Sequence, residues 1–311
     1  MKPRPSVALL IETSNAYARG ILEGVIDWLH QHDPWSVYLP EQERGATPPA
    51  WLKNWKGDGI IARIETEEIA RAVKRTGVPV VDVSAARRVP DIPWVETDDR
   101  EIARLAGEHL LERGFRHLAF CGEPHFNWSR WREEAFRETV EQAGHLCHSF
   151  EARSRLEKGY SWNREQRRLS RWIAKLPKPV GIMACYDIRA QQLLDTCREL
   201  ELSVPEEVAV IGVDNDELLC NLCTPPLSSV IPDTLRTGHR AAELLDQMMR
   251  RKTGGGEAHL IAPLGIAFRQ STDILAIDDP DIIRAMQMIR ERVTEGINVK
   301  DLLREIPLSR R

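Results

Sequence analysis

Short runs that are apolar at every position, each followed by a stretch with helical spacing, recur along this chain and leave few folds open to it. Ser6 to Ile11 is the first such run, and Ile21, Leu22, Val25, Ile26 and Leu29 then share one face of a helix predicted over Tyr17 to His30. Further strands are predicted at Gly59 to Ile64, Val78 to Val83, His117 to Cys121, Val180 to Cys185 and Val208 to Val213, with a late one over Leu260 to Arg269. Helices are predicted over 66–75, 98–113, 132–143, 188–201 and 234–251. A strand with no polar alternation must be covered on both faces, which crossover helices do for a parallel sheet. The whole pattern amounts to about nine or ten strands, too many for a simple single sheet of this kind. The predicted fold class is therefore α/β, with two doubly wound lobes, each a parallel sheet flanked by helices, and a short helical C-terminal tail.

Composition narrows the class without naming a task. With 42% hydrophobic and 29% charged residues and a formal charge of −4, the chain reads as an ordinary globular protein whose average conceals any basic patch. The apolar run Val7 to Ile11 meets Glu12 too soon for a secretory signal, and no stretch approaches the roughly 20 apolar residues of a membrane span. Six cysteines, several inside apolar runs such as Phe120-Cys121-Gly122, suit free thiols in a reducing compartment, so a cytoplasmic protein is expected. Cys220 and Cys223 are spaced CxxC, yet no second pair or histidine cluster completes a zinc site; neither a metal nor a cofactor is expected.

In open α/β sheets, ligands bind beyond the carboxyl ends of the strands. The polar residues just past the predicted strands are therefore the candidates: Ser14 and Asn15, Glu65, Asp82, Asp98, Asp187, Asp214 and Asn215. No Walker sequence, HExxH or GxSxG occurs, and no GxGxxG follows the first strand. Gly20 and Gly24 fall inside the first helix, where they allow close packing. The strand-end carboxylates suit acid–base work, but nothing pairs them with a nucleophile, so no enzyme is expected. A binding cleft uses the same groups differently. Sugar hydroxyls both donate and accept, so a sugar pocket needs carboxylate acceptors, fixed arginine donors and an aromatic face for the ring. For Asp214 and Asp187, helix capping is an equally good reading at this point. Arg132 is expected to open a helix, where a positive charge is disfavoured, and that misplacement hints at a pocket role.

Val208-Ala209-Val210-Ile211-Gly212-Val213-Asp214-Asn215, with Pro225-Pro226-Leu227-Ser228-Ser229-Val230 behind it, resembles the effector domain of lactose-repressor-like regulators. So do Ala184-Cys185-Tyr186-Asp187 and the helix from Asp98 to His109-Leu110. The resemblance implies a periplasmic-binding-protein-like sugar sensor with Arg132, Asp187 and Asp214 as principal sugar contacts. Tyr17, Arg19 and Asp98 from lobe one, and Trp128 from lobe two, are implied beside them. Asn15-Ala16-Tyr17-Ala18-Arg19, Glu23-Gly24-Val25 and Gly57 to Ala62 are similar to the first lobe of the branch that governs xylose operons.

The tail extends that likeness. Arg269-Gln270-Ser271-Thr272-Asp273 and Asp279-Pro280 lead into a segment similar to the start of an AraC-type helix-turn-helix domain. Ile282, Ile283, Met286, Ile289 and Val293 keep helical spacing there, and Val299, Leu302 and Leu303 begin a second short helix after Gly296. The implied division is 1–277 for the sugar-binding effector domain and 278–311 for the start of a truncated DNA-binding domain, with Ser309 and Arg310 opening its first recognition helix. Lobe one would comprise about 5–98 and 233–252, and lobe two about 114–230 and 257–275, with the third crossing near 252–258. The implied partners are D-xylose, promoter DNA through a complete C-terminal domain, and a second copy in a homodimer; no membrane is implied. Transcription activation in response to the sugar is the implied role. A transport-type sugar-binding protein, or the same sensor tuned to another sugar, are the alternatives, and Tyr186, which departs from many relatives, bears on the second.

Overall fold

The computed structural model describes residues 4–41, 47–154, 157–251, 258–274, 279–292 and 296–306. Its strands form two six-stranded sheets, as the repeated strand-then-helix pattern requires. The first sheet holds β1 (Ser6–Leu10), β2 (Ser36–Tyr38), β3 (Gly59–Ala62), β4 (Val80–Asp82), β5 (Trp94–Thr97) and β11 (Ala258–Ile261), in the order β11-β5-β4-β3-β1-β2. The second holds β6 (His117–Gly122), β7 (Cys147–Glu151), β8 (Val180–Ala184), β9 (Val208–Val213), β10 (Ser228–Ile231) and β12 (Gly265–Ala267), in the order β12-β10-β9-β8-β6-β7. All pairings are parallel except β10 with β12.

Helices α1 (Ala16–Gln31), α2 (Glu67–Thr76) and α8 (Thr234–Arg251) cover the first sheet; α3 (Asp99–Glu112), α4 (Asn127–Gln142), α5 (Trp162–Lys175), α6 (Asp187–Glu199) and α7 (Glu217–Leu222) belong to the second lobe. Successive residues of β1 explain the unbroken apolar runs. Val7 and Leu9 pack against α1 and α8, while Ala8 and Leu10 pack on the opposite side with Ile69 and Val73 of α2. Both faces are dry, so neither can carry polar residues. Helices α1 and α8 approach to backbone contact because Gly24 and Gly238 lack side chains. A Cβ on Gly24 would lie 1.9 Å from the Leu235 carbonyl oxygen, and one on Gly238 1.9 Å from that of Ile21.

Three boundaries differ from the sequence reading. The predicted late strand over 260–269 is two strands: β11 closes the edge of the first sheet, and β12 lies antiparallel on the edge of the second. The chain therefore crosses between lobes at 262–264, not at 252–258, and 258–261 belong with lobe one. Pro263 sits in that crossing, where its missing N–H would interrupt a ladder. Helix α3 packs into the second lobe's core through Ile102, Ala103, Ala106 and Leu110, so that lobe begins at its first turn rather than at 114. Helix α4 starts five residues before Arg132, which therefore lies in its second turn and not at its positive end.

The tail is helical as expected, with α9 (Pro280–Arg292) and α10 (Val299–Glu305). Asp279 caps α9 by accepting from the Asp281 and Ile282 N–H groups, and Asn298 with Asp301 forms a reciprocal capping box on α10. Met286 and Ile274 pack onto the core of the second lobe. Gly254 to Gly256, Ser309 and Arg310 lie outside the described residues.

Candidate functional site

The carboxyl ends of β1, β3, β6, β8 and β9 supply one connected cluster of charged and aromatic side chains. From the second lobe, Arg132 is almost fully buried. Its Nε donates to Asp99 Oδ1 at 2.7 Å, one terminal nitrogen donates to the Cys185 carbonyl at 2.5 Å, and its guanidinium lies 5.1 Å from the Trp128 ring. Burial works against its charge, but Asp99 and Asp214 outweigh that and hold it protonated more firmly than a free arginine. Trp128 stacks on Phe126 at 5.1 Å and meets Tyr186 edge-on at 5.7 Å, giving an aromatic wall beside the guanidinium. The Tyr186 hydroxyl donates to Glu123, which also receives Arg189 at 2.5 Å.

Asp187 and Asp214 divide their labour. Asp187 opens α6 and is buried. Oδ1 accepts from the Ser229 hydroxyl at 2.6 Å, and Oδ2 accepts from the Asp216 N–H at 2.8 Å and from the Cys220 thiol at 3.5 Å. Burial and, next, the charge of Asp214 push its carboxyl well above the usual range. Gly212 makes room for it, since a Cβ there would fall 2.2 Å from Asp187 Oδ1. These bonds brace the loop that follows β9, where Asp214 and Asn215 adopt φ of 105° and 47°. Such backbone is costly for residues other than glycine, about 1–3 kcal/mol each, and persists only where its surroundings enforce it. Arg269, which donates to Asn215 Oδ1 at 2.9 Å, adds to that enforcement. The capping role considered for Asp214 falls instead to Asp216, which accepts from the Leu219 N–H of α7.

From the first lobe comes an arginine that sequence reasoning passed over. Arg63 follows β3, and its two terminal nitrogens donate to Glu12 and Glu65, each at 2.5 Å. Its guanidinium lies 5.3 Å from the Tyr17 ring, and its Nε is buried without a hydrogen-bond partner. Burial opposes the charge, but Glu65 and Glu12 overcome it, with Tyr17 and Asp214 adding to the same effect. Arg63 and Arg132, on opposite lobes, thus both feel Asp214. Burial pushes the Tyr17 hydroxyl, 3.4 Å from Thr97 Oγ1, up to about 12, so it remains a neutral donor or acceptor.

The structure brings Tyr17, Arg132, Asp187, Asp214 and Trp128 into this neighbourhood, while the hydrogen bonds of Arg19 and Asp98 go to nearby backbone. Arg19 is exposed and turns back to the Thr13 carbonyl at 3.1 Å. Asp98 caps α3 by accepting from the Arg100 and Glu101 N–H groups; the carboxylate that reaches Arg132 is its neighbour Asp99. That assignment had a signal in the sequence. Asp99, Ile102, Ala103 and Ala106 are spaced i, i+3, i+4 and i+7, which puts Asp99 on the buried face of α3. The strand predicted to Ile64 encloses Arg63; β3 ends at Ala62, which puts Arg63 just past its carboxyl end. Asp82, another strand-end candidate, accepts from the Ile64 and Ser84 N–H groups and serves the loops of its own lobe. Among the described residues, no group of three or more His, Cys, Asp or Glu side chains could hold a metal ion, and no helix is long and apolar enough to cross a membrane.

Residues 6–100 match the model of the XylR N-terminal domain, and residues 107–272 match that of the periplasmic binding protein-like domain. The xylose operon regulatory protein of Escherichia coli K12 is 32% identical over 99% of this chain and 79% of its own length. The chain belongs to the xylose operon regulatory protein family. The Haemophilus influenzae member of the family is 30% identical over 98% of this chain and 80% of its own length. A solved structure described as the xylose-binding transcription activator xylR superposes with a TM-score of 0.85 at 31% identity, covering 99% of this chain and 80% of that one. The cellobiose complex of the regulator CelR, at 20% identity and a TM-score of 0.70 over 87% of this chain and 86% of that one, shares the fold. The family's members are transcription regulators, and the two-lobed architecture is the sugar-sensing part of such a protein.

Proposed function

We propose that this chain senses a pentose, D-xylose, in the cleft between its lobes and passes closure to a DNA-binding domain that begins at α9. The observation that carries the reading is that Arg63 of one lobe and Arg132 of the other both feel the charge of Asp214, with Trp128 against the Arg132 guanidinium. Arg132 and Asp214 are the main hydrogen-bonding groups for sugar hydroxyls. Asp187 holds the Asp214 loop and keeps one acceptor position on Oδ1. Tyr17 and Arg63 complete the first-lobe wall, and Trp128 offers the ring face. A ligand bridging both walls binds the closed form better than the open one, and that difference is what shifts the population. The names of the relatives, which specify xylose, support the sugar's identity.

The regulator reading continues past the sensor. Residues 1–277 form the effector unit and 278–311 begin an AraC-type domain, which acts in a homodimer on a two-half-site operator when complete. The chain works in the cytoplasm, where the DNA is, without catalytic activity.

Isothermal titration calorimetry against D-xylose, L-arabinose, D-ribose and D-glucose tests the sensor. Saturable one-to-one heat with D-xylose alone is expected. Heat with a different sugar would keep the sensor and change its ligand, while none with any of the four would remove the reading.

A further inference from the structure

A contact between the lobes lies outside the cluster proposed for the sugar. Arg87, in the loop between β4 and β5, has its guanidinium 3.8 Å from the ring of Trp94 and 4.2 Å from that of Trp131. Trp94 belongs to β5 of the first sheet, and Trp131 to α4 of the second lobe. The cation therefore lies between two indoles from opposite lobes. Its Nε donates to Glu96 at 3.0 Å, within the first lobe. On the same loop, the carbonyl oxygens of Ala85 and Ala86 accept from Asn127 Nδ2, the first residue of α4, at 3.1 and 3.3 Å. Arg87 takes a φ of 47°, a conformation a side chain rarely adopts unless its surroundings enforce it.

We propose that Arg87 is a positioning residue that latches the lobes together and sets how far the sugar-free protein is already closed. The division of its contacts gives the latch its direction. Glu96 and Trp94 keep Arg87 attached to the first lobe, so opening breaks only the Trp131 face and the two Asn127 bonds. The strength is suited to a switch. A cation over an aromatic face at a part-exposed site is a modest interaction, able to bias closure without making it irreversible. Trp131 also precedes Arg132 on α4, so the turn that receives the latch is the turn that presents the central arginine of the proposed site. Affinity measured on such a protein scales with the fraction of molecules in the binding-competent form. The latch thus tunes affinity without touching the ligand. This inference rests on the sugar-closure reading for its effect on affinity, but not for its effect on shape.

The test separates the two. Trp131→Leu removes the lobe-two aromatic face while leaving the Asn127 bonds and Arg87 with Trp94 and Glu96, and Trp131→Phe restores an aromatic face. Small-angle X-ray scattering of the sugar-free proteins should give a larger radius of gyration for Trp131→Leu than for the wild type, with Trp131→Phe near the wild type. Saturating D-xylose should bring all three to the same value. Calorimetry should show D-xylose affinity lowered about threefold to tenfold in Trp131→Leu and within about twofold of wild type in Trp131→Phe. Adding Arg87→Met to Trp131→Leu should lower affinity no further, because the partner is already gone. Identical sugar-free scattering for wild type and Trp131→Leu, with matching thermal melts showing that both are folded, would overturn the latch. So would additive losses in the double variant. A wild-type protein that binds no sugar would defeat the ligand reading, and the sugar-free scattering would still decide the latch.

Discussion

The two walls proposed for the cleft are built in different ways. The second lobe buries Arg132 against Asp99 and a backbone carbonyl, and braces Asp214 on a strained loop through Asp187, Ser229 and Arg269. The first lobe holds Arg63 between two carboxylates and lays it over Tyr17. One wall is a fixed scaffold of paired and backbone-anchored groups; the other is a compact ion cluster with an unsatisfied Nε. The difference teaches where rigidity is built in. A buried pair whose partner is removed leaves a stranded charge, so the second wall should fail through stability as much as through binding. The first strands Glu12 and Glu65 when Arg63 is removed, so it too should lose stability along with binding, but without a strained loop to lose.

The sharpest way to break this contrast is Arg132→Ala. Asp99 would be left buried without its partner, and unfolding by urea should show a loss of about 3–5 kcal/mol. The double variant Arg132→Ala with Asp99→Ala should recover part of it. A stability unchanged by the single substitution would mean the second wall is not held by this pair.

Next in size is a pH effect in the support behind that wall. His109 Nε2 lies 2.9 Å from Thr272 Oγ1, and burial, followed by the charge of Arg113, lowers its pKa to about 4. The folded protein thus resists a proton that the unfolded chain accepts near pH 6.5. The stability His109 contributes is present above that pH and lost as the pH falls toward 4, by up to about 3 kcal/mol. In a pH series of urea unfolding, His109→Gln should flatten the slope in that window; an unchanged slope would count against it.

The first wall is tested by Arg63→Met, which should weaken D-xylose binding by about 1.5–3 kcal/mol, the range for a hydrogen bond to a charged group. Calorimetry showing undiminished affinity would remove Arg63 from the site. The smallest effects belong to the residues turned away from it. Asp98→Ala should cost about 1 kcal/mol of stability through the lost cap, read in a thermal or urea melt. Arg19→Ala should leave sugar affinity within about twofold of wild type by calorimetry, since its guanidinium is already spent on a backbone carbonyl.

The same contrast runs through what the residues alone made legible. Two sheets with strands dry on both faces followed from runs such as Val208-Ala209-Val210-Ile211-Gly212-Val213, because a buried parallel strand has no polar side to hide. The second wall was readable from the strand-to-helix junctions at Asp187 and Asp214 and from the family resemblance around them. Of the first wall only Tyr17 was, through the same resemblance. Which of Asp98 and Asp99 caps and which is buried depends on the phase of α3, and a strand-end list treats neighbours alike. Arg63 was passed over because the strand predicted to Ile64 enclosed it, and only the fold shows β3 ending at Ala62 with both carboxylates closing on it. The short edge strands β2 and β12, three residues each, carry too little pattern to be found by periodicity.

The most direct measurement is a crystal structure of this chain grown with D-xylose. We expect the sugar between the lobes, with hydroxyls within hydrogen-bond distance of Arg132 and Asp214 on one side and of Arg63 or Tyr17 on the other. A sugar bound to one lobe only, or elsewhere on the surface, would contradict a cleft built from both walls.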